Sequence, residues 1–259
     1  MTEADYVYSP PETVFDKLRR KVSRFVERRP AQFAFDRPTL SVTFDDAPLT
    51  AVRAGAEILE AAGVRGSFYI SAGLCGRDSP MGPYAGMDEV TALAAAGHEI
   101  GCHTFSHLDC GRSQADVIVC DVGLNATTLS EYDLSPETFA YPYGEVSPAA
   151  KKTLGHRFRG LRTVRAGMIA GEADLAALPG VGLEGPGGEA TVKKWMDKAK
   201  ARNGWVIVFS HDVRDEPSQW GCTPESLKRV VDQALADGFQ VLPVNEALSL
   251  GQRTSADIS

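Results

Sequence analysis

The chain has 259 residues, 43% of them apolar, enough to bury a sizeable core and too apolar for a disordered or fibrous protein. Lys and Arg number 27 against 34 Asp and Glu, a net charge of −7 with no basic face beyond one short N-terminal stretch, which argues against a nucleic-acid partner. No run has the apolar length of a bilayer span, no signal-like segment opens the chain, and Cys75, Cys102, Cys110, Cys120 and Cys222 form no C-x-x-C pair, so a cytoplasmic protein with free thiols and no transmembrane segment is expected.

Three stretches are expected: a leader over 1–38, one α/β domain over 39–250 and a tail over 251–259. In the leader, Ser9, Pro10 and Glu12 stand as N-cap, first-turn proline and capping-box acid, and Phe15, Leu18, Val22 and Phe25/Val26 follow at helical spacing, predicting an amphipathic helix over Ser9–Arg29. Seven basic residues against three acidic between Glu12 and Arg29 offer two readings: an apolar stripe closing one end of the core, or a peripheral contact with an anionic membrane surface. Leu40, Val42 and Phe44 then alternate with Ser41, Thr43 and Asp45 as a strand, and an alanine-rich helix runs from Thr50 to Ala62 before Gly63. Strands are predicted at Gly66–Ile70, His98–Cys102, Thr138–Tyr141, Phe158–Val164, Trp205–Phe209 and Phe239–Val244. Helices are predicted at Asp88–Ala96, Ser113–Tyr132, Ser147–Leu154, Thr191–Arg202, Pro224–Asp237 and Asn245–Leu250. This alternation with near-continuous apolar strands implies parallel pairing, and its length fits a distorted (β/α) barrel of about seven or eight strands better than an open doubly wound sheet. Neither G-x-G-x-x-G nor G-x-x-x-x-G-K-[ST] follows the first strand, so nucleotide binding lacks its usual loop.

Polar residues able to bind a metal fall where strands end, the rim on which a barrel builds its site. Asp45 and Asp46 follow the first strand; two adjacent carboxylates repel and suit a cation or a base role, although Asp46 also stands where it can cap the next helix. His103-Thr104-Phe105-Ser106-His107 is an H-x-x-x-H pair whose spacing brings both rings to one side of a helical turn. With Asp46 as third ligand this is a facial set that leaves coordination positions open for water and substrate; two surface histidines in a polar loop is the bland alternative. Tyr141-Pro142-Tyr143-Gly144 is a proline-stiffened turn, either an ordinary strand-to-helix connection or one that aims the Tyr143 N–H at an oxyanion while the rings face a sugar. His211 follows an apolar strand. Tyr84 and Trp220, in Gly/Pro-rich segments, are either sugar-stacking rings or loop anchors.

Over residues 39–245 these pieces resemble the polysaccharide deacetylase family, carbohydrate esterase family 4, also known as the NodB-homology domain. The resemblance implies a distorted (β/α) barrel and a metal-dependent hydrolase that removes N-acetyl groups from an amino-sugar substrate. Thr43-Phe44-Asp45-Asp46 is similar to the family's T-F-D-D, making Asp45 the general base and Asp46 a metal ligand. His103 and His107 match its remaining ligands, with Thr104 bracing the loop; Tyr143 stands where a backbone N–H meets the oxyanion, and His211 where the general acid lies. Zinc is the default metal for this ligand set, with nickel and cobalt suited to it as well. The family's Arg ahead of the Pro-aromatic turn is absent, as is its Asp-Trp segment; in its place the chain reads Gly160-Leu161-Arg162-Thr163-Val164-Arg165, so Arg162 or Arg165 is expected to reach Asp45, or else one or both bind an anionic substrate group or only form surface salt bridges. A deformylase or small-amide hydrolase on the same scaffold, and a carbohydrate-binding protein that has lost catalysis, are the alternatives.

Overall fold

The computed structural model describes Ser23 and residues 25–253. In chain order its strands are β1 (Pro30–Phe33), β2 (Thr39–Asp45), β3 (Ser67–Ile70), β4 (Glu99–Cys102), β5 (Thr138–Ala140), β6 (Gly160–Arg162), β7 (Gly171–Asp174), β8 (Val181–Gly182), β9 (Trp205–Ser210), β10 (Gln240–Val241) and β11 (Gln252–Arg253). Its α-helices are α1 (Ala56–Ala61), α2 (Met87–Ala95), α3 (Ala115–Ser130), α4 (Pro148–Gly155), α5 (Gly188–Lys200), α6 (Pro224–Ala236) and α7 (Val244–Gly251).

All seven residues of β2 are buried, so both of its faces must be satisfied inside the protein. Leu40, Val42 and Phe44 supply apolar surface, while the hydroxyls between them find partners: Trp205 Nε1 donates to Ser41 Oγ at 2.9 Å, and Thr43 Oγ1 donates to the Val208 carbonyl at 2.9 Å. Around this strand the main sheet runs β6-β5-β4-β3-β2-β9-β8, every neighbour parallel, with β10 added beside the first residues of β2. The sheet curls until its edges meet through one short segment. The Leu178 N–H donates to the Leu161 carbonyl at 2.7 Å and Leu178 bridges Arg162, while three residues on, Val181 and Gly182 pair with Val208 and Phe209. Gly180 lies between these contacts, where a Cβ would sit 2.5 Å from the Thr163 carbonyl oxygen; only glycine lets the closing segment pass so near. The fold is thus the expected distorted barrel, a curled sheet closed at a single bridge.

The predicted strands and helices from residue 39 onward correspond to observed elements within a few residues. The helix predicted over Thr50–Ala62 opens as a π turn at Ala51–Gly55 before α1. Its N-cap is Thr50, so Asp46 does not cap it. A second, antiparallel sheet, β11-β1-β7, was not foreseen. Its strands have two to four residues, too few for a period-two pattern to register.

Of the predicted leader helix, residues 9–22 and 24 lie outside the described residues. Residues 25–29 form a turn and bend, with Glu27 at φ 49° and Phe25 72% exposed, so the helix does not extend to Arg29 and Phe25 does not pack on the core. The buried Lys151 ammonium donates to the Ser23 carbonyl at 3.1 Å, the Val26 carbonyl at 2.9 Å and Asp174 Oδ2 at 2.7 Å, tying this segment to β7. Among the described residues no helix is long and apolar enough to cross a membrane.

Candidate active site

Strands β2, β4, β5 and β9 deliver the candidate residues to one rim. Asp45 ends β2, Asp46 follows it, His103 follows β4, Tyr143 lies just past β5 and His211 directly after β9. They line a cavity of about 460 Å³ that also takes in Tyr84, Tyr141 and Trp220. The backbone is held in the left-handed region at Asp46 (φ 60°), Ala47 (50°), Thr104 (64°), His107 (57°) and Tyr143 (58°). Five of the eight non-glycine residues with this geometry among those described therefore sit in three short segments of the rim, and such strain persists only where the surroundings enforce it.

The two histidines do not meet on a helical turn as their spacing suggested. Residues 103–107 form an irregular loop, and the left-handed Thr104 and His107 turn both imidazoles toward Asp46. His103 Nε2 lies 3.6 Å and His107 Nε2 3.4 Å from Asp46 Oδ1. His103 Nδ1 donates to the Ala140 carbonyl at 2.8 Å, which leaves the Nε2 lone pair facing the cluster. Several groups hold the loop: Thr104 Oγ1 accepts from the Leu108 N–H at 2.8 Å, and Asp121 on α3 accepts from the Phe105 N–H at 2.6 Å and from Ser106 Oγ at 2.6 Å. One turn along α3, Asn125 accepts from the Ala72 N–H and donates to the Ile70 carbonyl, fixing the neighbouring strand end.

The cluster has the donor set of a metal site. Asp46 Oδ1 is buried without a hydrogen-bond partner, a costly arrangement unless a cation completes it. One donor atom from each of Asp46, His103 and His107 lies within 4.8 Å of the other two. Burial lowers the pKa of both imidazoles to about 4, so both are neutral at pH 7 with lone pairs to offer. Two nitrogens and one carboxylate oxygen on one side of a cavity fit a divalent metal with open positions.

Asp45 and Asp46 are neighbours with opposite fates. Burial pushes both carboxyls up; at Asp45 the Arg162 guanidinium, helped by His103 and His211, overrides burial and holds the pKa below the usual carboxylate range. At Asp46, burial and the charge of Asp45 prevail and the pKa is raised. Of the two candidate arginines, Arg162 is the one that reaches Asp45, donating to both carboxylate oxygens. Its guanidinium carbon lies 5.3 Å from the Tyr69 ring centroid and 4.9 Å from that of Phe209, so the buried cation is sandwiched between aromatic faces. Gly101 makes room for the Tyr69 ring, which a Cβ there would approach to 2.4 Å. Arg165 lines a different cavity with Thr163 and Glu172.

His211 shows the reverse shift. Burial disfavours its imidazolium, but a contact with Glu184 (3.2 Å from Nδ1 to Oε1) and the charges of Asp45 and Asp46 outweigh burial and raise the pKa to about 9. The same nitrogen lies 3.1 Å from the Trp220 carbonyl. Glu184 was missed by sequence reasoning; its signal was the segment Val181-Gly182-Leu183-Glu184-Gly185-Pro186, a short apolar strand that ends in an acid before a turn. Asp121 was missed as well, since a lone acid in a helix has no local signature. Tyr141 is fully buried and its hydroxyl donates to the Ala176 carbonyl at 3.1 Å, so its ring serves the core more than a sugar. Tyr84 is also buried, whereas Tyr143 is 40% exposed with its ring centroid 4.4 Å from that of His107.

The polysaccharide deacetylase family model matches residues 34–158, the stretch that holds both acids, both histidines and Tyr143. A chitin deacetylase from Pestalotiopsis sp. is 30% identical over 118 residues, 45% of this chain, and the match spans only 38% of that protein. A peptidoglycan-N-acetylglucosamine deacetylase from Bacillus cereus is 25% identical over 210 residues, covering 81% of this chain and 87% of that protein. Among solved structures, a T48 deacetylase with substrate shares the fold at a TM-score of 0.59 and 18% identity, over 83% of this chain and 94% of its own. The motif spacing, the curled parallel barrel and the Asp-His-His cluster thus accompany a likeness to the polysaccharide deacetylase family over residues 34–158.

Proposed function

We propose that this protein is a metal-dependent amide hydrolase that removes the N-acetyl group from an amino-sugar unit, consuming water and releasing acetate and a free amine. The observation that carries this reading is the opposed pair across one cavity: Asp45 held deprotonated by Arg162, and His211 held protonated by Glu184. A binding protein needs neither proton acceptor nor proton donor. Asp46, His103 and His107 would hold the metal, which supplies Lewis-acid polarisation of the carbonyl and a more acidic water. Asp45 takes the proton from the attacking water, and its ion pair with Arg162 keeps it available as a base at neutral pH. The Tyr143 N–H, set by a left-handed backbone, is the donor for the developing oxyanion. His211 gives a proton to the departing nitrogen from its other ring nitrogen, and Glu184, against Nδ1, stabilises the imidazolium until then. The donor set suits zinc, with nickel and cobalt able to replace it. All five cysteines are free, as a reducing cytoplasm allows, and the reading extends to a cytoplasmic enzyme acting on a sugar polymer, oligomer or conjugate.

The test pairs metal content with acetate release from short N-acetyl-sugar oligomers, for the wild type and for His211→Ala. Wild type should carry about one metal per chain and release acetate. His211→Ala should keep the metal and lose about 10²- to 10⁴-fold in turnover. Acetate release by His211→Ala at the wild-type rate removes its role as acid, and no acetate from any oligomer with metal bound rejects N-deacetylation.

A further inference from the structure

Beyond β9 the chain folds back on itself beside His211, and the carboxylate that closes this loop is Asp212. It follows His211 directly and is fully buried. Its Oδ1 accepts from Ser218 Oγ at 2.5 Å and its Oδ2 from the Ser218 N–H at 2.9 Å, while Arg214 Nε lies 2.8 Å from Oδ2. Ser218 Oγ in turn accepts from the Trp220 N–H at 3.2 Å, and the Cys222 N–H donates to the Asp212 carbonyl at 3.0 Å. Gly221 crosses Asp212 so closely that a Cβ there would sit 2.3 Å from Oδ1 and 2.5 Å from the carbonyl oxygen.

What this fold-back delivers is the Trp220 carbonyl. It accepts from the His211 backbone N–H at 3.1 Å and lies 3.1 Å from Nδ1 of the same residue. Glu184 Oε1 lies 3.2 Å from that nitrogen as well. Two acceptors from different segments on one ring nitrogen place a proton on Nδ1 and fix the rotation of the imidazole, which leaves Nε2 for the cavity. We propose that Asp212 is a positioning residue for His211: through Ser218 and Trp220 it sets the carbonyl that aims the imidazole at the departing nitrogen. The inference rests on reading His211 as the general acid of an amide hydrolase. Misplacing a reacting group by about 1 Å costs on the order of 10²-fold in rate, so a brace on this carbonyl bears on turnover as well as on stability.

The leaving group separates aim from folding. An amine must be protonated to depart, whereas 4-nitrophenolate leaves as the anion, so hydrolysis of 4-nitrophenyl acetate needs no acid. The experiment compares an N-acetylglucosamine tetramer with this ester for metal-loaded wild type, Asp212→Asn and Ser218→Ala, the last removing only one hydroxyl. Both variants should lose about tenfold or more in kcat on the tetramer, with KM within about twofold, and keep the ester rate. Combined with His211→Ala, neither should cost anything further, and where the ester is not turned over this combination decides alone. Unchanged tetramer turnover, equal losses on both substrates, or a further loss without His211 overturns the proposal. If the wild type leaves the tetramer intact, the deacetylase reading falls, and amide hydrogen exchange at the His211 N–H decides whether Asp212 sets the carbonyl. Asp212→Asn should then speed exchange by about tenfold, and unchanged exchange overturns the proposal.

Discussion

Buried acids stand at both ends of the same sheet, and they are treated in opposite ways. At the start of β4, Glu99 accepts from Ser67 Oγ at 2.7 Å, Thr138 Oγ1 at 2.5 Å and the Asn245 N–H at 3.0 Å, joining three strands to the first turn of α7. Past the other end of β2, Asp46 leaves Oδ1 with no donor and has like-charged Asp45 beside it. Both acids are buried, and burial pushes both pKa values up. The difference lies in the partners. A buried carboxylate whose oxygens meet protein donors holds a fold together, whereas one short of donors among neutral imidazoles marks a place for something the polypeptide does not supply.

The comparison breaks most decisively at the open end. Asp46→Ala should abolish metal binding, read by elemental analysis, and take acetate release to background, while the protein stays folded by circular dichroism. A metal-loaded, active Asp46→Ala would show that the buried Asp46 Oδ1 is not a ligand.

Next in size are the two substitutions that separate base from acid. Without Arg162 the Asp45 pKa rises, so Arg162→Met should move the acidic limb of the kcat/KM profile to higher pH and cost about tenfold or more near neutrality. Without the Glu184 carboxylate, His211 should fall from about 9 toward its ordinary range; Glu184→Gln should thus move the alkaline limb to lower pH, since His211 must be protonated to act. Opposite displacements of the two limbs sharpen the assignment, and a common displacement would contradict it.

Asp121→Asn should weaken metal binding by about tenfold, measured by chelator competition, because the carboxylate that accepts from the Phe105 N–H and the Ser106 hydroxyl would be weakened as a brace. The smallest effect on activity belongs to the closed end. Glu99→Gln retains shape and one of the two acceptor oxygens, so it should cost about 1–2 kcal/mol of stability by denaturant titration and leave the pH profile of turnover in place. A change in either limb there would mean that the two ends are coupled, through Thr138, Tyr69 and the Arg162 cation resting on that ring.

Local patterns carried much of this molecule. The seven-residue alternation at Thr39–Asp45, the apolar run at Trp205–Ser210 and the helices between strands were legible because burial on one or both faces writes itself at periods of two and 3.6. The candidate site was legible where it lies within a few residues of a strand end: Asp45 with Asp46, His103 with His107, Tyr143, His211. Contacts across sequence gaps were not. Arg162 and Arg165 were indistinguishable on paper, three residues apart on one strand and its continuation. They separate only when the sheet curls and places the first against Asp45, 117 positions earlier, with the second in another cavity.

By itself, then, the sequence determined the alternating parallel architecture, the chemical types at the rim and the family resemblance, because each depends on residues close together in the chain. The tertiary structure alone decided that Arg162 and not Arg165 pairs with Asp45, that Glu184 lies against His211, that Asp121 braces the 103–107 loop and that β1 pairs with both β7 and β11 outside the barrel. Those choices depend on how far the sheet curls and where it closes, a property of all its strands packed together that no short segment encodes.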